Sequence, residues 1–460
     1  MRRNEVNMLS GSIVKALFTI SLPIMIMNII NSLFNIIDMT ILKSFSPEDS
    51  FVVGAVGICG TPTSLIINFA IGLSIGANAV IARYIGANDH ERTEKAVGAT
   101  VFFSLVCGFA MLVLGVLLSK DVLVLVGCAD ELLADATLYF RLYFLGIPLF
   151  ILYTFLTAIF RSVGDTRRPM LYIITGGAAK IMLTYVFVGI FNMSIIGVAL
   201  STIISWLITA ALLLITLIRS DFAVKLYLSR IRFYHKEILN IIKIGLPAAL
   251  QNACYSIANV SVAAEANSFG AAATTGVSIA NNYDSVLYNI TYSPSLAVLP
   301  FMSQNIGAGN VKRAKKAVWR GILIATSLGL FFGSLSAIFS GQLSSIMSSN
   351  PDVIRFSQQK MILISPLYLL NGISQIFCEG LRVMKKPVVP TIYSFLFYFA
   401  LRLVYIYLVF PMLREYNNLS LLYLAWPISW ISAIIFLLSF YLPTAKKFKL
   451  PEQDTAVQEA

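Results

Sequence analysis

Apolar residues in this chain run in blocks of about 20 to 25, the length that carries an α-helix across ~30 Å of hydrocarbon. Backbone amides and carbonyls must be satisfied within such a block, because lipid offers no hydrogen-bond partner. Helices meet that condition, whereas barrel strands would be shorter and would alternate in polarity. Charge is scarce as well: 58% of the 460 residues are hydrophobic and 12% are charged, with a mean hydropathy of +0.81. A soluble domain carries about 25% charged residues. The pattern therefore predicts an all-α integral membrane protein with twelve spans near 14–42, 51–79, 94–118, 138–160, 168–190, 195–218, 238–262, 272–300, 316–340, 356–378, 388–410 and 419–441. No leader-cleavage pattern follows the opening RRNEVN, so a removable signal peptide is not expected.

The net charge of +12 does not point to nucleic acid, because the cations sit at the ends of spans. With cations near a span end counted to the adjoining loop, 26 of the 34 Lys and Arg fall on the side shared by the two termini and six on the other, which leaves Lys180 and Arg402 deep inside spans. Positive charge marks the cytoplasmic side, which places both termini inside a bacterial plasma membrane. The five cysteines are scattered with no CxxC, and His90 and His235 lie in loops. Helix packing and solvated loops account for these residues better than metal or redox chemistry does.

The chain also repeats itself. ISLP at 20–23 returns as IGLP at 244–247, and RYIGANDHERTEKAVGA at 83–99 as QNIGAGNVKRAKKAVWR at 304–320. FRSVGDTRRP at 160–169 returns as CEGLRVMKKP at 378–387, and ISW recurs at 204–206 and 428–430. The offsets drift only between 218 and 224. Two six-span halves that enter the membrane in the same direction follow, the design of many secondary transporters. This gives an amino-terminal lobe at 1–218, a basic amphipathic linker at 219–237 suited to anionic headgroups, a carboxyl-terminal lobe at 238–445 and a polar tail at 446–460. The glycine turns after the second and eighth spans follow no strand, and no GxxxxGK[ST] occurs. The chain thus holds no ATP-binding cassette of its own.

Ionisable residues within spans are functional candidates, since each costs at least ~2.5 kcal/mol to insert. Asn28, Asn31, Asn35 and Asp38 form one stripe on the first span, fifteen residues on from Pro23 for Asp38. Asn281, Asp284, Tyr288 and Tyr292 share a face of the eighth span, and the seventh contributes Gln251, Asn252, Tyr255 and Asn259. The fifth span carries Lys180 and, one turn on, Thr184, whose match in the second half is Arg402. The pairs Asp38–Lys180 and Asp284–Arg402 are expected, either as helix ties or as coupling groups. Pro23, Pro148, Pro247 and Pro366 are expected to kink their spans. Arg161 and Glu379 occupy matching cytoplasmic ends of the fourth and tenth spans, and Tyr398 joins the tyrosines that could stack on planar compounds.

With ISLP, Asp38, RYIGAND, FRSVGDTRRP, GVALSTIIS (197–205) and QNIGAGNVKRAKKAV in this order, the chain resembles the multidrug and toxin extrusion (MATE) family of antiporters over residues 10–445. The resemblance implies two six-helix lobes in a V around a cavity and export of small organic, often cationic, compounds in exchange for H⁺ or Na⁺. No cofactor is implied, and the partners are lipid and small molecules, with the protein a monomer. Asp38 then matches the cation-binding aspartate of the amino lobe, and Thr202 a threonine of the same pocket. The family pattern has Asn and Asp where this chain has Lys180 and Thr184. An ammonium beside Asp38 takes the charge and space that Na⁺ would use, which favours H⁺. The carboxyl lobe has Ser256 near the place of the seventh-span glutamate of one subfamily, and Asp284 could serve instead. A lipid-linked oligosaccharide flippase of the same superfamily is the alternative. A major-facilitator carrier lacks its loop signature here, and an enzyme would need a catalytic cluster at one interface. Fusing reporters to the carboxyl terminus checks the topology: green fluorescent protein is expected to fluoresce and alkaline phosphatase to stay inactive.

Overall fold

A computed structural model describes residues 6–45, 50–219, 224–413 and 419–449. Among them the chain forms twelve long helical rods and no strand. The first six are α1 (Ile13–Phe45), α2 (Ser50–Gly86), α3 (His90–Leu125), α4 (Asp130–Ser162), α5 (Arg167–Ile190) and α6 (Ser194–Arg219). The second six are α7 (His235–Asn267), α8 (Ala271–Gly307), α9 (Val311–Ile338), α10 (Pro351–Val383), α11 (Val388–Met412) and α12 (Leu419–Lys447). A short helix, Ser340–Met347, follows α9. Ten rods are long and apolar enough to cross a membrane. The other two, α7 and α8, carry the amide-rich faces built from Gln251, Asn252 and Asn259 and from Asn281, Asn282 and Asn289.

Packing divides the chain into two compact units. Unit 1 takes in residues 26–85 and 89–245, and unit 2 takes in 6–25, 86–88 and 246 onward. Each unit thus claims the opening turns of the lead helix of the other half, and the chain changes unit just after Pro23 and just before Pro247. In unit 1, α3 packs on α4, and α6 on both α4 and α5; in unit 2, α8 packs on α9 and α10, and α10 on α12. Several of these approaches depend on small residues, which let helix backbones meet closely in lipid. A Cβ on Gly76 would strike the backbone of Ile241 and Gly245, where α2 meets the start of α7. At the linker, Val224 and Leu226 are buried while Tyr227, Leu228 and Phe233 stay exposed beside Arg230 and Arg232.

The fifth helix of each half loosens at the same place. Residues Tyr185–Ile190 of α5 are π-helical, as are Ser394–Ala400 and Tyr405–Val409 of α11. Thr184 directly precedes the first of these segments, and its match Arg402 stands between the other two. Such bulges commonly mark functional positions. Proline takes its expected place inside α1, α4 and α7, and Pro366 falls in a 3₁₀ turn (Ser365–Leu367) that interrupts α10.

Gly177 decides how near α5 comes to α1, because a Cβ there would land in the ring of Phe34. Gly177→Val is expected to lower the stability of the detergent-solubilised protein by about 1–3 kcal/mol, the usual scale for overpacking. Thermal unfolding, with Phe34→Ala as the relieving second change, measures it.

Candidate functional site

The stripe on α1 delivers its carboxylate to the interior of unit 1: Asp38 is only 4% exposed. Lys180 and Thr184 lie one turn apart on α5, so both reach the same group. The Lys180 ammonium meets Asp38 Oδ2 in an ion pair, and Thr184 Oγ1 donates to Oδ1 at 3.1 Å. Ser201 Oγ of α6 stands 2.7 Å from Thr184 Oγ1. Thr184 gives its hydroxyl proton to Asp38, and Ser201, 2.9 Å from Val198 O as well, has its single proton placed between Val198 O and Thr184 Oγ1. Thr202 points elsewhere, its hydroxyl donating to Val198 O of its own helix at 2.9 Å. The resemblance named Thr202, whereas the hydroxyl beside Thr184 is that of its neighbour, about 100° around the helix. Asn31 is half-buried on the same rod; the side chain of Asn35 lies outside those described.

Unit 2 departs from expectation. Asp284 does not pair with Arg402; its Oδ2 lies 2.9 Å from Lys360 Nζ, and Lys360 is 1% exposed. Lys360 also donates to Asn281 and sits 5.0 Å over the ring of Trp426. Counting charges by topology put Lys360 with the loop lysines at the start of the tenth span. Helix α10 begins at Pro351, however, so Lys360 stands more than two turns inside it, where its ammonium must find a partner. Asp284 Oδ1 has no hydrogen-bond partner among the described residues. A second ion pair, Glu379–Arg382, is fully buried on α10, and Arg382 donates further to Gln251 of α7. Glu379 is thus held by a residue that topology alone placed in a loop.

Arg402 is fully buried without a carboxylate partner among the described residues. Its Nε donates to Ser429 Oγ at 3.0 Å and its Nη1 to Asn259 Oδ1 at 2.9 Å. The guanidinium lies over the rings of Tyr398, Trp426 and Tyr255 at 4.9, 5.7 and 5.8 Å. Tyr255 stacks on Tyr288 at 5.6 Å, and Tyr288 on Tyr292 at 5.3 Å. Asn252, on the same rod as Tyr255, is half-buried.

The MatE family model matches residues 23–186 and again 247–408, the same two blocks that the internal repeat relates. The chain belongs to the MatE family. It is therefore a multi-pass membrane transporter and not an enzyme. A relative from Bacillus subtilis (strain 168), "Probable multidrug resistance protein YoeA", is 26% identical over 92% of each chain. An "FAD transporter" of Shewanella oneidensis is 26% identical over 83% of this chain and 84% of its own length. Among solved structures, the outward-facing conformation of a multidrug resistance MATE family transporter of the MOP superfamily covers 100% of both chains. Its TM-score is 0.86 at 20% identity, a likeness of fold.

The reassigned pair has a measurable signature. Lys360→Met leaves Asp284 buried and unpaired, so a loss of about 3–5 kcal/mol is expected. Adding Asp284→Asn is expected to restore most of it in a double-mutant cycle, whereas Asp284→Asn and Arg402→Gln should combine additively. Unfolding in detergent reads all of these variants.

Proposed function

We propose that this MatE transporter exports small organic compounds across the plasma membrane in exchange for H⁺, with Asp38 carrying the proton. The observation that supports this most is the occupation of Asp38 by chain groups. Lys180 takes one carboxylate oxygen and the Thr184 hydroxyl the other. Sodium would need several oxygen ligands around it, and an ammonium already stands where the cation's charge would be balanced. A proton needs only one lone pair of the carboxylate. Protonating Asp38 cancels the charge that holds Lys180 and frees the ammonium from α1. Deprotonation restores the tie between α1 and α5. That exchange gives two packings of the same helices, which is what a coupled carrier requires.

Cargo is not settled by family membership, since the two relatives carry names of different cargo. The flippase reading draws support from one feature, the surplus of buried base in unit 2 (Lys360, Arg382 and Arg402 against Asp284 and Glu379). Against it stands the tyrosine-lined surrounding of Arg402, suited to planar aromatic compounds rather than to a long lipid-linked glycan.

Everted vesicles with ΔpH and ΔNa⁺ imposed separately test the coupling. Wild-type uptake of a fluorescent aromatic dye is expected to follow ΔpH alone. Asp38→Asn is expected to reduce it by about tenfold or more, the scale for losing a proton-transfer group. Lys180→Ala is expected to lose its ΔpH dependence and to gain a response to Na⁺. Unchanged ΔpH-driven uptake in Asp38→Asn would overturn the coupling role.

A further inference from the structure

The buried ionisable groups of the two units differ in their balance. Unit 1 buries Asp38, Asp165 and Glu237, and Lys180, only 13% exposed, answers Asp38. Unit 2 buries three cations, Lys360, Arg382 and Arg402, against two carboxylates, Asp284 and Glu379. The carboxylates are each taken, Asp284 by Lys360 and Glu379 by Arg382. Arg402 is left over. A buried guanidinium without a counter-ion is costly in an apolar layer. The aromatic rings offset part of that cost, and the oxygens of Ser429 and Asn259 offset more. One nitrogen stays unanswered: Nη2 is buried with no hydrogen-bond partner among the described residues.

From this geometry we infer that Arg402 is an anion-binding residue, and that the cargo class of this transporter is a planar aromatic compound bearing a carboxylate or phosphate. The proposal rests on the exporter reading above and names its substrate class. With rings of Tyr255, Tyr398 and Trp426 around the guanidinium and two of its donors occupied, an anion has one edge left, that of Nη2. A charge-assisted bond there satisfies the orphan nitrogen and neutralises the surplus charge together. The aromatic part of the same molecule has a surface to meet. Tyr255 and Tyr288 are half-buried and stacked, and Tyr255 is also 5.3 Å from Tyr398. A cationic aromatic compound could use the tyrosines but would stand beside an uncompensated guanidinium. The site selects against it. Arg402 is the repeat partner of Thr184, so the position that tunes the carboxylate in one half holds cargo in the other.

Isothermal titration calorimetry on the detergent-solubilised full-length chain tests the assignment. The probes are three compounds sharing one ring system: anthracene carboxylate, anthracene methanol and anthracene methylammonium. Wild type is expected to bind the carboxylate about tenfold or more tightly than either of the others, the worth of one charge-assisted hydrogen bond. Arg402→Gln is expected to remove that preference, and Arg402→Lys to restore it in part. Equal or tighter binding of the ammonium by wild type overturns the proposal, and this arm requires no variant to fold. So does full carboxylate affinity in a folded Arg402→Gln protein. Phosphatidylglycerol nanodiscs form a further arm. Displacement of the carboxylate probe by that lipid, and not by phosphatidylcholine, would mean that a headgroup occupies the site, which contradicts the soluble cargo proposed. None of these measurements needs an ion gradient. Failure of the proton coupling would therefore show only in the vesicle assay, and failure of the anion site only here.

Discussion

One ion pair inside an apolar helix layer organises unit 1: the Asp38 carboxylate of α1 against the Lys180 ammonium of α5. Either group alone would be costly to bury, and together they tie α1 to α5. The rest of the local structure serves this contact. Gly177 lets α5 approach the ring of Phe34, and Asp38 is turned inward on α1, 4% exposed. Thr184 closes the second carboxylate oxygen, and directly after it the helix loosens into a π segment. It is this tie to which the proposed proton coupling is assigned.

Unit 2 repeats the helices but not the chemistry. Where α5 has Thr184, α11 has Arg402, and where α1 has its acid, the second half's charges are drawn from α8 and α10. Duplication supplied the scaffold, including matched π segments next to the matched positions. The balance of the buried charge then diverged. In unit 1 the Asp38 carboxylate is answered by Lys180, whereas unit 2 holds one more buried cation, Arg402, than it has buried carboxylates.

Much of this was legible in the sequence, for identifiable reasons. Span length and the bias of Lys and Arg depend on lipid thickness and membrane charge, so they show in one dimension, and all twelve expected spans fall on helical rods. Asp38 and Lys180 could be paired because each is the one charge of its sign away from the ends of its span. The reading failed where two cations competed. Lys360, near an expected span boundary, looked like an interfacial lysine, yet the helix extends beyond that boundary and carries it inward to Asp284. Arg402 was then assigned a partner it does not have. Its aromatic surroundings come from four different helices, α7, α11, α12 and the α8 tyrosines stacked behind Tyr255, and no local spacing reveals such a convergence. Ser201 was missed for a smaller reason, a single-residue step along α6 from the threonine that resemblance pointed to.

Infrared difference spectroscopy of the purified protein in lipid, cycled between acid and neutral pH, addresses the Asp38 proton most directly. The account predicts a protonated carboxyl C=O band at acid pH that disappears on neutralisation, shifts when Lys180 is replaced by Ala, and is missing from Asp38→Asn. A band that survives intact in Asp38→Asn would place the proton elsewhere and contradict the account.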